Sequence, residues 1–117
     1  MATVAASRVR PWIPVVLWAG VIFAFSSIPS LSTGLGTWDL VLRKLAHATE
    51  FGLLAVLLYR ALLHAPVALL VASAYAVTDE LHQSFVRGRE AAPRDWAIDT
   101  AGAAIGIVVY RLWRRRR

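Results

Sequence analysis

Cysteine is absent from this chain of 117 residues, so a disulfide, a thiolate nucleophile and a cysteine-ligated zinc site are all excluded. Charged residues are also scarce, at 17% of the chain, whereas hydrophobic residues make up 58% and the mean hydropathy is +0.57. A soluble domain of this size cannot bury so much apolar surface, but a lipid bilayer accommodates it. The composition therefore indicates an integral membrane protein with a single domain over residues 1–117.

Four apolar segments predict an all-α fold, a small transmembrane bundle of about four spanning helices. We expect the helices at about residues 12–27, 44–63, 65–85 and 95–113, and the first and third reach across a bilayer only if their polar ends stay helical. The first segment follows Arg8 and Arg10 and has a signal peptide as its alternative interpretation, although no clean cleavage site follows Phe25. The short connection at His64 predicts that helices two and three form an antiparallel hairpin.

Basic residues are distributed unevenly between the two ends of this predicted bundle. Eight of the thirteen would lie at the end that carries both termini, which places both termini in the cytoplasm and the chain in the inner (plasma) membrane as a multi-pass protein. Because this membrane pattern accounts for the net charge of +6, we expect no nucleic-acid partner. All seven acidic residues lie toward the opposite, outward end, which topology does not explain.

Polar residues of three predicted helices converge at that outward end. Charged side chains at membrane depth usually face the bundle interior and pair with one another. Antiparallel packing brings the beginnings of helices two and four to the end of helix three, where the positive helix N-termini favour an anion. We therefore expect one outward-facing pocket formed by Lys44, His47, Glu50, Glu80, Gln83, Arg87, Arg89, Asp95 and Asp99.

Two glycines on helix four bear on how this pocket is assembled. Gly102 and Gly106 continue the stripe of Asp95 and Asp99 at helical spacing. Small residues four apart allow a second backbone to approach closely. We expect this stripe to lie against helix two or helix three.

Four motifs occur in order along the chain: SSIP at residues 26–29, KLAH and EFGL at 44–47 and 50–53, DELHQSFVRGR at 79–89, and Asp95 with Asp99, Gly102 and Gly106. Together they resemble the VanZ-like family of bacterial integral membrane proteins. The resemblance implies a cell-envelope membrane protein, and the founding member of the family is linked to reduced susceptibility to the glycopeptide teicoplanin. Asp99 stands where the family usually has Asn, and Arg87 where Pro is common.

The leading functional hypothesis is a site that binds or acts on an anionic, lipid-linked envelope molecule, with membrane lipid as a further partner and a glycopeptide as another candidate ligand. Lys44, Arg87 and Arg89 would hold a phosphate. His47 or Glu80 would transfer protons, and Asp95 would orient His47 or Arg89. Whether the protein is an enzyme stays open, and this hypothesis requires no metal and no cofactor.

Three alternatives follow from the same residues. A divalent-metal site would use His47, Glu50, Glu80 and His82, although the neighbouring Lys44 and Arg89 oppose a cation. A small transporter or proton path would use His47, Glu50 and Asp99 as a relay. A structural bundle without a ligand would use its polar residues only to satisfy one another.

Overall fold

The computed structural model describes residues 8–27, 37–86 and 93–116, except for the side chains of residues 37, 39 and 40. Four helices dominate these ranges: α1 (Trp12–Ser26), α2 (Thr37–Leu62), α3 (Ala65–Gln83) and α4 (Pro93–Arg115). No strand occurs in the described residues, so the predicted all-α class is confirmed. Helix α2 begins well before the predicted residue 44, because residues 37–43 include neither Gly nor Pro.

The turn between α2 and α3 is built from two residues. Leu63 adopts a φ of 58°, in the left-handed region, and its N–H donates to the Tyr59 carbonyl at 2.7 Å, which closes the end of α2. His64 is extended, and its Nδ1 accepts a hydrogen bond from the Val67 N–H at 3.3 Å. Pro66 lies in the first turn of α3, where its missing N–H costs no helical bond. The predicted hairpin is therefore present, with a short, well-capped turn.

Helix α2 is the centre of the bundle. It packs against each of the other three helices, and its contact with α4 is the most extensive. Phe51, Ala55 and Leu58 of α2 are buried, and α3 faces the core with a stripe of alanines at a spacing of four. Such a stripe lets the two helices pack closely. The core therefore joins large side chains of α2 to small side chains of α3 around one central helix.

Within the part of the chain that the structure describes, one segment, Val41–Leu62 of α2, is long and apolar enough to cross a membrane, by length and composition alone. Helix α1 is apolar but shorter, at 15 residues. The prediction of about four spanning helices is therefore supported by this criterion for α2 only. The helical bundle itself does not depend on it.

Candidate functional site

Two pairs of polar side chains join α2 to α4 at the end of the bundle where α4 begins. The outer pair is Lys44 and Asp95. The Lys44 ammonium contacts the Asp95 carboxylate, and the two side chains are 26% and 19% exposed. Asp95 lies in the first turn of α4, where a negative charge is favoured by the helix dipole. Glu80 and Asp99 also attract Lys44, whereas Arg94 repels it. Lys44 is thus a partly accessible cation held among carboxylates.

The second pair lies one helical turn deeper in the bundle. His47 Nδ1 lies 3.6 Å from Asp99 Oδ1, and the Asp99 side chain is only 2% exposed. The His47 ring is stacked with that of Phe51, with ring centroids 6.5 Å apart. An Asp beside one imidazole nitrogen orients the ring. This pair has the geometry of an oriented acid–base group.

Gln83 of α3 connects this pair to the rest of the bundle. Its Nε2 donates to Asp79 Oδ2 at 3.1 Å and to the Ser26 hydroxyl oxygen at 3.4 Å, and it lies 3.4 Å from His47 Nε2. Ser26 belongs to α1, so all four helices contribute to one polar cluster, which we define as Ser26, Lys44, His47, Asp79, Gln83, Asp95 and Asp99. At this cluster α1 is joined to both α2 and α3 through side chains of one network.

Two aromatic residues fix the position of α1 beside this cluster. Trp18 Nε1 donates to the backbone carbonyl of Glu50 at 2.9 Å. The Tyr75 hydroxyl donates to the backbone carbonyl of Ala19 at 2.6 Å. Since each bond satisfies a polar tip within an apolar surrounding, both orient a helix that has few other polar groups. They thereby position Ser26 two turns further along α1.

The glycines of α4 fix the distance between α2 and α4. A Cβ added at Gly102 would lie 2.8 Å from Ala48 Cα, and one at Gly106 would lie 2.8 Å from Gly52 Cα. The expectation of a close backbone approach is confirmed, and the partner is α2. Because residue numbers rise together along both helices in these contacts, α2 and α4 run parallel. That parallel register aligns Lys44 with Asp95 and His47 with Asp99.

Comparison with known proteins decides the family. A sequence model described as VanZ/LLP1 matches residues 8–114, almost the whole chain. The chain belongs to the VanZ/LLP1 family. The resemblance drawn from the four motifs is therefore confirmed, and the match spans all four helices. No curated protein and no solved structure matches the chain at a significant level.

In this VanZ/LLP1 protein, five of the predicted site residues come together in the polar cluster: Lys44, His47, Gln83, Asp95 and Asp99. Glu50 and Glu80 lie close enough to act electrostatically on His47 and Lys44, respectively. Arg87 and Arg89 lie outside the described residues. Roles in catalysis or ligand binding stay predictions for all nine.

Two members of the cluster were missing from the predicted site. Asp79 is 4% exposed and Ser26 is 1% exposed, so both are more deeply buried than Glu80. The spacing of four between Asp79 and Gln83 places them on one face of α3 and could have identified Asp79. Ser26 lies in the first family motif, but nothing in its local sequence indicates a contact with α3.

His82 has a different environment from His47. Its ring stacks on Phe23 of α1 with centroids 4.1 Å apart, and its Nε2 lies 3.2 Å from the Ser27 hydroxyl oxygen. His82 therefore serves the contact between α1 and α3. The metal set considered from the sequence does not form around it.

A groove of about 650 Å³ lies on the outer side of the contact between α2 and α4. Its lining is mainly apolar and includes Leu53, Ile105 and Val109 together with the facing glycines. This groove is distinct from the polar cluster. The predicted outward-facing polar pocket stays a prediction.

Proposed function

We propose that this protein is a multi-pass protein of the bacterial inner membrane whose polar cluster faces outward and holds the anionic headgroup of a lipid-linked envelope molecule. Both termini would lie in the cytoplasm, as the distribution of basic residues favours. The observation that carries the proposal is a partly accessible lysine, Lys44, set at the edge of a buried acid–base network to which all four helices contribute.

The outer surface of the bundle supports membrane insertion. Large apolar side chains are exposed on all four helices, including Leu17 at 66%, Leu45 at 59%, Leu70 at 69% and Val109 at 58%. Soluble monomers rarely expose extended apolar surface of this kind, whereas lipid-facing helices require it. Polar side chains are instead gathered inside, at the ends of α1 and α3 and the beginnings of α2 and α4.

The arrangement of Lys44 supports anion binding. Its partner Asp95 is only partly buried, so an incoming phosphate can compete for the ammonium without dismantling the deeper network. Arg87 and Arg89 would complete the clamp from the segment after α3. His47, oriented by Asp99, lies one turn below and could exchange a proton with a bound headgroup.

The test compares two lipids that differ only in the phosphate group. Purified full-length protein in detergent would be incubated with a polyprenyl phosphate or the matching neutral polyprenol, and bound lipid would be counted by native mass spectrometry. We expect the phosphate to be retained in preference to the alcohol. Lys44→Gln should weaken phosphate binding about tenfold, since a hydrogen bond to a charged group contributes about 1.5–3 kcal/mol.

Arg60→Gln is the matched control, because Arg60 lies near the opposite end of α2. It should bind the phosphate as the unmodified protein does. Equal binding of the two lipids, or an equal loss in both variants, would contradict the proposal. We propose separately that the protein affects susceptibility to teicoplanin, as the family resemblance suggests. This is tested by comparing the susceptibility of cells that express the unmodified protein with that of cells that express Lys44→Gln.

A second candidate function, a structural bundle without a ligand, is favoured by the pairing of the cluster's side chains with one another. It predicts that exchanging the partners, Lys44→Asp together with Asp95→Lys, preserves cellular function. The ligand hypothesis predicts loss, because the cation would move to α4. Complementation of a deletion strain by the exchanged protein separates the two.

A further inference from the structure

Three side chains of the polar cluster converge from three different helices. One ring nitrogen of His47 and one carboxylate oxygen each of Asp79 and Asp99 all lie within 4.8 Å of one another. His47 comes from α2, Asp79 from α3 and Asp99 from α4. His47 Nδ1 lies 3.6 Å from Asp99 Oδ1. We call this group the His–Asp–Asp triad.

Burial makes the two aspartates costly as anions unless they are protonated or paired with positive charge. Asp79 is 4% exposed and Asp99 is 2% exposed, and carboxylates are costly at such depth unless they are paired. Lys44 acts on Asp99 electrostatically, but its ammonium is in contact with the carboxylate of Asp95. A protonated His47 would neutralise only one of the two carboxylates.

Unsatisfied oxygens give a second and independent indication. Within the described ranges, Asp79 Oδ1 and Asp99 Oδ2 are fully buried and accept no hydrogen bond. The other Asp79 oxygen accepts from Gln83, and Ser26 lies beside the same carboxyl group. A buried oxygen without a donor costs about 1–3 kcal/mol, so such atoms call for a ligand or an ion.

We propose that His47, Asp79 and Asp99 bind one divalent transition-metal ion. One imidazole and two carboxylates are a donor set suited to Zn²⁺, Mn²⁺ or Fe²⁺, and two carboxylates balance the charge of such an ion. With metal–ligand bonds of about 2.1 Å, donor atoms lie roughly 3–3.5 Å apart, so separations of up to 4.8 Å in the triad must shorten by about 1.5 Å on binding. Gln83 donates to Asp79 Oδ2 and is placed to orient this ligand.

The ion would also help to bind the anionic headgroup of the lipid. This second role rests on the function proposed above. Three protein ligands leave coordination positions open, and a phosphate oxygen bound near Lys44 is a donor that could fill one. Binding of the ion itself needs no lipid. It is therefore measured on the lipid-free protein, so that failure of lipid binding leaves the metal result intact.

The experiment uses full-length protein purified in detergent without a polyhistidine tag and treated with a chelator. Mn²⁺ would be titrated in and the free ion followed by electron paramagnetic resonance, with Zn²⁺ added as a competitor. We expect one Mn²⁺ per chain, displaced by Zn²⁺. Asp99→Asn and His47→Gln should each weaken binding at least tenfold while leaving the helical circular dichroism unchanged.

His64→Gln is the matched control, because His64 caps α3 at the other end of the bundle and contacts none of the triad. It should bind Mn²⁺ like the unmodified protein. Absence of stoichiometric binding of both Mn²⁺ and Zn²⁺ to the folded protein overturns the proposal. So does binding that His64→Gln weakens as much as His47→Gln does.

Discussion

The contact between α2 and α4 has a polar half and a glycine half, which are stabilised in different ways, and an aromatic pair ends the glycine half. Near the start of both helices, Lys44 meets Asp95 and His47 meets Asp99 through long or charged side chains. Further along, Gly102 and Gly106 bring the backbone of α4 directly against α2. Beyond them, Tyr59 and Tyr110 meet edge to face with ring centroids 6.0 Å apart. The same parallel register therefore brings together charged side chains, then the two backbones, then an aromatic pair along the length of α2 and α4.

The difference lies in how much each half tolerates change. Backbone packing has no room for an added methyl group, because the neighbouring atoms cannot move without shifting a helix. Ion pairs depend on long side chains that adjust, and the outermost pair is partly hydrated. We therefore expect the glycine half to set the register of the two helices. The ion pairs of the polar half form because that register aligns their side chains.

The largest expected effect is from adding a methyl group in the glycine half. Gly102→Ala and Gly106→Ala should each destabilise the bundle by about 2 kcal/mol or more, since the new Cβ would lie 2.8 Å from the α2 backbone. Thermal unfolding in detergent, followed by circular dichroism, measures the loss.

Gly20→Ala is the matched control, because a Cβ at Gly20 would meet no described atom within 4 Å. It should leave stability unchanged or raise it by up to about 1 kcal/mol through helix propensity. If all three substitutions behave alike, close packing of α4 on α2 is not what sets their register.

An intermediate effect is expected in the polar half at the outer pair. In a double-mutant cycle with Lys44→Met and Asp95→Asn, we expect a coupling energy of about 1 kcal/mol, because both groups are partly exposed. The cycle is measured by denaturant unfolding in detergent at low and high salt. Coupling that does not fall with salt would contradict a partly hydrated ion pair.

The smallest effect on folding is expected at the deeper pair when the shape of the side chain is kept. Asp99→Asn should change the stability of the metal-free protein by less than about 1 kcal/mol, since the amide keeps a hydrogen-bonding group beside His47. Asp99→Leu removes that group and serves as the contrast.

For Asp99→Leu we expect a loss of about 1–3 kcal/mol, because the His47 nitrogen would be left without a partner on α4. The same thermal unfolding experiment measures both variants. A large loss of stability for Asp99→Asn would show that the negative charge itself stabilises the fold. It would indicate that the polar half serves folding and not ligand binding.

Several features followed directly from the order of residues. The four apolar segments indicated an all-α bundle, and the ordered motifs indicated the family that the match over residues 8–114 confirms. The spacing of Gly102 and Gly106 predicted a close helix contact. Each of these properties is local or periodic, so each can be recognised within one segment of the chain.

Other features depended on how the helices face one another. The sequence left two possible partners for the glycines of α4, and placed Glu80 rather than Asp79 in the site. Helical periodicity assigns a residue to a face, but two faces can be matched in several registers. The central position of Asp79 follows from the neighbouring Gln83 and Ser26, one of which lies on a distant helix.

What the sequence alone determined, then, is the class of fold, the family and the end of the bundle at which polar residues gather. Tertiary structure alone decided that α4 packs most extensively on α2, that Lys44 pairs with Asp95, and that His47, Asp79 and Asp99 converge. The physical reason is that apolar patterning acts within one helix, whereas a pairing of charges or a backbone contact belongs to two helices in one particular register.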